Sequence, residues 1–179
     1  MKNKKIISTI IVVLILIIIT AIWAIKNNEK KDTQNIGENE KSEMTNSDFL
    51  LNVNSELDIE KLKSYNIPII IDFGADSCIP CKEMEPVLKS LNNELYEKAI
   101  IKFVDVWKNQ KLAIGYPVTM IPTQLFIDSN GLPYIPKEIK DIKFEIHKDS
   151  DGNHIFTTHV GGLTKTQMLR ILKEMGLNE

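Results

Sequence analysis

Apolar residues in this chain occur in one long uncharged block near the N-terminus, broken only by Ser8, Thr9 and Thr20, and in several short runs after residue 49. The long block covers residues 6–25, twenty residues without a charge that are dominated by isoleucine, valine and leucine. At about 1.5 Å per residue, a helix of that length spans about 30 Å, the hydrocarbon thickness of a bilayer. The pattern predicts one N-terminal transmembrane helix over residues 6–25, followed by a separate globular part.

A cleaved secretory signal is the alternative interpretation of this block. Such a signal has a shorter apolar core and a small-x-small cleavage site. Residues 21–24, Ala-Ile-Trp-Ala, do not supply that spacing well. Trp23 near the end of the block suits an indole at the membrane interface. These features favour an uncleaved anchor, with cleavage as the alternative.

Lysines lie on both sides of the apolar block, three within the tail 1–5 and three more at positions 26, 30 and 31. The balance of positive charge therefore does not fix the orientation of the span. A five-residue tail before a span that carries a domain behind it is typical of a signal anchor. We therefore expect a single-pass cell-membrane protein with its C-terminal domain outside the cytoplasm. Residues 26–48 are polar and lack apolar periodicity, which indicates a linker.

Two short apolar runs after the linker have the character of buried strands. They lie at residues 68–73 and 100–106, and residues 123–128 are predicted to form a third strand. Residues 154–160 alternate apolar and polar side chains instead, as an antiparallel strand does. Helical patterns occur at residues 59–64, after Cys81, at residues 110–114 and after the capping box Thr164–Gln167. The order of these elements predicts an α/β domain over residues 49–179, with a mixed sheet and helices on both faces.

Composition and charge narrow the class of protein. The chain has 22 basic and 24 acidic residues, a formal net charge of −2. Four lysines and no acidic residue fall within residues 1–26, so the remaining residues 27–179 are net acidic. That balance argues against nucleic acid as a partner. The presence of only 2 cysteines excludes a disulfide-dense scaffold.

The two cysteines, Cys78 and Cys81, stand where the first strand gives way to a helix. Unpaired N–H groups and the positive end of the helix dipole favour a thiolate there, so Cys78 can attack a disulfide and Cys81 can resolve the product. Three other interpretations remain open from the residues alone. They are a structural disulfide, which adds little stability over so short a loop, an unreactive pair, and a zinc site. Zinc requires about four ligands, and His147, His154 and His159 lack a zinc-finger spacing.

Three motifs in order resemble the thioredoxin family. Residues 71–86, Ile-Asp-Phe-Gly-Ala-Asp-Ser-Cys-Ile-Pro-Cys-Lys-Glu-Met-Glu-Pro, resemble its active-site segment, including the proline five residues after the second cysteine. Residues 121–123, Ile-Pro-Thr, resemble its cis-proline loop, and residues 160–165 resemble its glycine turn before the last helix. The resemblance covers residues 49–179 apart from an insertion at about residues 132–153. It implies a thioredoxin-like mixed sheet flanked by helices.

The resemblance also implies roles for five residues. Cys78 would be the attacking thiol and Cys81 the resolving thiol of a redox-active disulfide. Asp72 would be the buried acid that takes a proton from Cys81 through water, the alternative being a partly exposed acid at a strand end. Pro122 would follow a cis peptide bond, the alternative being an ordinary loop proline, and Ile121 would offer its backbone to an extended substrate peptide. The resemblance requires no cofactor and no metal.

Two departures from the family affect the expected cleft. Gly74 and Ser77 stand where thioredoxins commonly carry tryptophans. The cleft is therefore expected to be more open and less aromatic, and Trp107 is expected to pack within the domain rather than to bind a ligand.

The insertion is a further departure. Its residues 133–136 and 140–147 are expected to contribute to an extra hairpin, turned by residues 150–153. We interpret this hairpin as a partner-docking element, with surface decoration as the alternative.

The resemblance and the apolar block together imply a membrane-anchored, extracytoplasmic thiol–disulfide oxidoreductase that reduces protein disulfides through its Cys-Ile-Pro-Cys dithiol. A reductase in an oxidising compartment needs electrons from across the membrane, so a polytopic membrane thiol-transfer protein is the expected donor. An apocytochrome or another extracytoplasmic protein disulfide is the expected substrate. A dithiol oxidase or isomerase is the alternative enzyme, and a thioredoxin-like copper chaperone is the alternative of another class.

Overall fold

A computed structural model describes Thr20, residues 46–137 and residues 139–178. The expected tail, anchor and linker (residues 1–5, 6–25 and 26–48) lie outside the described residues, except for Thr20 and residues 46–48. In the part of the chain that is described, no helix has the length and apolar character needed to cross a bilayer. Asn46–Glu179 form one compact unit.

The described residues form five strands and three α-helices. In chain order these are α1 (Ile59–Lys63), β1 (Ile69–Gly74), α2 (Ile79–Glu94), β2 (Ile100–Asp105), β3 (Thr123–Ile127), β4 (Glu145–Lys148), β5 (His154–Val160) and α3 (Lys165–Glu174), with 3-10 helices at Ser47–Phe49 and Gln110–Ala113. The strand order is β2-β1-β3-β5-β4, and β1 pairs parallel with β2 and antiparallel with β3. The structure therefore confirms the predicted mixed sheet flanked by helices.

Strand β1 lies between β2 and β3 in the sheet, and all six of its residues are buried. Successive side chains of a strand point to opposite faces of the sheet. Ile70 belongs to the core cluster that holds side chains of α2 and α3. The odd-numbered residues of 69–73 belong to the opposite cluster, with Leu62 of α1. By the same alternation, Asp72 and Gly74 lie on the face covered by α2.

The insertion supplies the outermost strand of the sheet. Strand β4 pairs antiparallel with β5, and in the turn between them the carboxylate of Asp149 accepts hydrogen bonds from the backbone N–H groups of Asp151 and Asn153. The hairpin expected there exists, and residues 145–147 of the predicted 140–147 lie in its first strand. The prediction that residues 140–144 and 133–136 contribute to it is wrong. Pro133 makes only a single bridge to Ile127, because prolines at both ends of this segment remove backbone donors.

Helix α3 begins at the predicted capping box. The Thr164 hydroxyl accepts a hydrogen bond from the backbone N–H of Gln167 at 3.3 Å, and the Gln167 side-chain oxygen accepts one from the backbone N–H of Thr164 at 3.0 Å. Two of the N–H groups that a helix start leaves unpaired are thereby satisfied. The helix then buries Met168 and Leu172 against the core.

Replacing Thr164 by alanine should lower the free energy of unfolding by about 1 kcal/mol, because one helix N–H group loses its partner. Urea denaturation of the full-length protein measures this loss. Thr166→Ala, at an exposed position in the same turn, is the matched control and should change the value by less than about 0.5 kcal/mol. Equal losses in the two variants would contradict a capping role.

Candidate active site

The N-terminus of α2 positions the two sulfur atoms. Cys78 is the N-cap residue of this helix, and its Sγ accepts a hydrogen bond from the backbone N–H of Cys81 at 3.3 Å. Pro80 occupies the first turn, where a backbone N–H is not needed. The unpaired N–H groups and the helix dipole stabilise negative charge on the Cys78 sulfur, which favours its thiolate.

Cys78 and Cys81 form a disulfide, with an S–S distance of 2.25 Å and a Cα–Cα distance of 5.3 Å. Cys78 is 8% exposed and Cys81 is 3% exposed, so the first sulfur lies nearer to solvent. Cys81 packs directly on Gly74, where an added Cβ would lie 3.3 Å from the Cβ and Sγ atoms of Cys81 and 2.8 Å from a ring carbon of Phe103. The missing side chain at Gly74 therefore makes room for the inner cysteine.

Asp72 lies two residues before Gly74 on the same face of β1, and Cys81 packs on Gly74. The side chain of Asp72 is completely buried, so the alternative of a partly exposed strand-end acid is wrong. The Gln124 side-chain amide donates a hydrogen bond from Nε2 to Oδ1 of Asp72 at 2.7 Å. Burial raises the pKa of Asp72 to about 7, and the hydrogen bond from Gln124 opposes that rise. A carboxyl group with this pKa can take up and release a proton near neutral pH.

The loop before β3 completes the site. The Ile121–Pro122 peptide bond is cis, in agreement with what the resemblance implies. Ile121 packs against the small cluster formed by Ala75, Cys78 and Cys81. The Pro122 carbonyl accepts a hydrogen bond from the backbone N–H of Gly161 at 2.9 Å. Cys78, Cys81, Ile121 and Pro122 therefore lie in one region. Asp72 is connected to it through Gly74, the residue of β1 on which Cys81 packs.

Asp105, at the end of β2, fixes the two loops beside the cysteines. Its carboxylate accepts hydrogen bonds from the backbone N–H of Asp76 at 3.1 Å and from those of Trp107 and Lys108 at 3.0 Å each. The Lys108 ammonium also pairs with the Asp76 carboxylate. The loop that carries Cys78 is therefore tied to the turn after β2, a connection that the sequence analysis missed.

The groove beside Ile121 has an aromatic wall that the sequence analysis also missed. Trp107 is 59% exposed and Met120 is 61% exposed. Together with Val106 and Ile121 they line a groove of about 320 Å³. The expectation that Trp107 packs within the domain is wrong, because the turn fixed by Asp105 holds residue 107 at the surface.

The sequence that forms this site is similar to sequences of known proteins. Residues 50–146 match the family profile described as Thioredoxin. The chain belongs to the thioredoxin family. It is 42% identical to Thioredoxin-1 of Drosophila melanogaster over 62 residues, 35% of this chain and 58% of that protein. It is 33% identical to Thioredoxin of Rickettsia typhi over 100 residues, 54% of this chain and 88% of that protein.

The share of its length that is matched by this thioredoxin-family chain differs from one similar protein to another. The chain spans less than two thirds of the length of the Drosophila relatives that it matches. Among solved structures, a mutant thioredoxin from Halobacterium salinarum is 24% identical, with a TM-score of 0.48, over 72% of this chain and 91% of that one.

Gln124 is the second polar residue in the buried layer of this thioredoxin-family site. It lies directly opposite Asp72 in the antiparallel pairing of β1 with β3, and it is completely buried. The sequence analysis did not identify it, because the pairing register of distant strands cannot be read from the residues. The one available signal was a polar amide inside the continuous buried run Thr123–Ile127.

The histidines considered as metal ligands have hydrogen-bond partners elsewhere. The contacts are His147 with Thr158 at 2.8 Å, His154 with Thr157 at 2.7 Å, and His159 with the Lys143 carbonyl at 2.9 Å. Within residues 46–137 and 139–178, no group of three or more His, Cys, Asp or Glu side chains is arranged to hold a metal ion. In these ranges the geometry gives no support to a metal site at the cysteines.

Asp72→Asn should change how the stability of the protein depends on pH. The pKa of Asp72 is about 7 in the folded protein, above its ordinary value of 3.8. Between pH 3.8 and about pH 7 the native state holds a proton that the unfolded chain has lost, so the free energy of unfolding falls as the pH rises. This group alone accounts for a fall of about 4 kcal/mol, complete above pH 7.

The measurement is urea denaturation of the oxidised full-length protein from pH 4 to 8. The asparagine side chain of the variant cannot ionise, so the variant should gain stability over the native protein steadily up to pH 7. Asp151→Asn, in the exposed β4–β5 turn, is the control and should show no such gain. A difference for Asp72→Asn that stays constant with pH would contradict the raised pKa.

Proposed function

We propose that this protein is a thiol–disulfide oxidoreductase that reduces protein disulfides through Cys78 and Cys81. The observation that carries the proposal is the disulfide between these residues at the start of α2, with Cys78 as the N-cap and Cys81 buried behind it. Membership of the thioredoxin family supports the same chemistry. The buried carboxyl of Asp72, on the same face of β1 as Gly74, supplies a base for the inner thiol.

The proposed reaction has two exchange steps. The Cys78 thiolate attacks one sulfur of the substrate disulfide, forming a mixed disulfide and releasing the other substrate sulfur as a thiolate. Cys81 then gives its proton to Asp72 and attacks the Cys78 sulfur, which releases the second substrate thiolate. The substrate gains two electrons, and its two thiolates take up the equivalent of the two protons that Cys78 lost to solvent and Cys81 gave to Asp72. The protein is left with the Cys78–Cys81 disulfide.

Substrate binding is proposed for the surface around the cis-proline loop. The backbone of Ile121 pairs with an extended segment of the substrate, as an added strand would. The adjoining groove presents the exposed side chains of Trp107 and Met120 to residues that flank the substrate cysteine. Aromatic and methionine side chains suit such contacts because they bury a large area and adapt in shape.

Regeneration of the dithiol requires an electron donor. We propose that residues 6–25 anchor the protein in the cell membrane with its domain outside the cytoplasm, and that a polytopic membrane protein with a reactive dithiol is the donor. Support comes from the twenty uncharged residues of this segment and from the similarity of Asp72 and the Cys-Ile-Pro-Cys sequence to those of reductases. The reduction potential of the pair is the quantity that separates a reductase from an oxidase or isomerase.

Cys81→Ser should accumulate mixed disulfides through Cys78, because the second exchange step is blocked. Expression of the full-length variant, acid quenching and non-reducing electrophoresis would show these adducts, and mass spectrometry would identify the trapped proteins. Cys78→Ser is the matched control and should trap none, since the nucleophile is missing. Equal capture by both variants, or by neither, would contradict the assignment of the attacking thiol.

Deleting residues 6–25 should release the protein from the membrane fraction, because no comparable apolar block occurs elsewhere in the sequence. The measurement is fractionation with alkaline carbonate extraction, followed by protease treatment of intact spheroplasts. The undeleted chain should stay with the membrane and lose its domain to external protease. A domain that is protected from protease in intact spheroplasts would contradict the extracytoplasmic orientation.

A further inference from the structure

We propose that Gln124 is the positioning residue for Asp72: it holds the carboxyl group on the face of β1 where Cys81 packs and serves as the hydrogen-bond partner of that group in both protonation states. The inference rests on the proposed role of Asp72 as the base for Cys81. It assigns a function to an amide side chain that would otherwise be an unexplained polar group in the core.

The sheet fixes the two side chains against each other. Asp72 and Gln124 are paired residues of adjacent antiparallel strands, so their side chains lie side by side on the same face. Both are completely buried, and the 2.7 Å hydrogen bond from Nε2 of Gln124 to Oδ1 of Asp72 joins them. Because neither strand is at an edge of the sheet, the carboxyl group has little freedom to turn away from the amide.

Each of the two groups has an unused acceptor. Among the described residues, Oδ2 of Asp72 and Oε1 of Gln124 are buried side-chain atoms without a hydrogen-bond partner. An ionised Asp72 needs donors, which the amide NH₂ of Gln124 supplies. A protonated Asp72 must donate its proton, and rotation of the same amide by half a turn presents Oε1 as the acceptor. The contact of Nε2 with the weak acceptor Sδ of Met84, at 3.4 Å, imposes little cost on that rotation.

An apolar or a charged side chain at position 124 would serve one protonation state of Asp72 or neither. An apolar residue would leave the buried carboxylate without a partner, which is costly in a low-dielectric interior. A lysine would donate but not accept, and would favour the ionised form alone. An amide is neutral and carries both a donor and an acceptor, so it suits a carboxyl group that must change its protonation state in each turnover.

Among the described residues, Gln124 is the polar side chain that is hydrogen-bonded to Asp72. The other elements packed around this pair present the following groups. On the β2 side, Phe103 lies beside Asp72. Among the buried residues of α2, Cys81 is the one that can ionise once it is reduced, and the buried residues of α3 are apolar. On β5, His159 lies opposite Gln124, one strand further from the carboxyl. Burial and the Gln124 hydrogen bond are the influences on the pKa of Asp72.

The test compares Gln124→Leu with the unaltered full-length protein. The titration of the Asp72 carboxyl carbon is followed by NMR in the reduced protein labelled with ¹³C-aspartate, with Asp72→Asn identifying the signal. Gln124→Leu removes the hydrogen bond in both protonation states, but the bond to the ionised carboxylate is the stronger one, so the midpoint should move upward by about one pH unit. A structural role without influence on the carboxyl would leave the midpoint in place.

The pH dependence of the second exchange step should shift in the same direction as the titration of Asp72. Stopped-flow mixing of reduced protein with one equivalent of dithiobis(nitrobenzoate), whose thiolate is coloured, separates attack by Cys78 from closure by Cys81. In Gln124→Leu the closure rate at pH 7 should fall about fivefold and recover at higher pH. The first phase should not change. Thr158→Val and His159→Gln, which alter a buried hydroxyl and the titratable neighbour on β5, are controls that should leave the closure midpoint in place.

Two further measurements distinguish a failure of the base role of Asp72 from a failure of the inference about Gln124. In the unaltered protein, the side-chain NH₂ signals of Gln124 should shift with pH at the same midpoint as the Asp72 carboxyl, a readout that needs no variant. If Asp72→Asn leaves the closure profile unchanged, the base role of Asp72 fails, and the inference about Gln124 fails with it. If Asp72→Asn alters the profile but Gln124→Leu shifts neither midpoint, or the NH₂ signals do not respond, only the inference about Gln124 is overturned.

Discussion

The enclosure of one carboxyl group within the sheet is the constraint on which the rest of the site depends. Strand β1 is buried on both faces, and its three isoleucines have no exposed surface. Each such side chain contributes about 1.5–3 kcal/mol on burial, while a buried polar group without adequate partners costs a comparable amount or more. The isoleucines offset the cost of Asp72, so a stable strand can hold an ionisable group on the face where Cys81 packs.

The place where β1 ends then determines where the sulfurs lie. Gly74 is the last residue of the strand, and its lack of a side chain leaves space for Cys81. Asp105 ties the following loop to the end of β2, which sets the start of α2 and therefore the position of Cys78. Reactivity at the helix N-terminus is thus a consequence of sheet packing and loop anchoring as well as of the helix dipole.

Much of this arrangement could be predicted from the sequence because its signals are local. The helical pattern of α1, the capping box at Thr164 and the runs that form β1 to β3 depend on residues close together in the chain. The position of Cys78 follows from a strand that leads directly into a helix. Residues 133–136 were predicted incorrectly because apolar content indicated a hairpin strand, while the prolines at both ends removed the donors that a strand requires.

The features that the sequence did not reveal all depend on contacts between distant segments. Gln124 meets Asp72 only because β3 pairs with β1 in one particular register, and a shift of one residue would turn the amide to the opposite face. Trp107 reaches the surface beside Ile121 because Asp105 fixes the turn after β2. The tryptophans that thioredoxins commonly carry next to the cysteines are absent here, yet an indole still borders the groove. The turn after β2 therefore gives the groove an aromatic surface, which the active-site segment itself lacks.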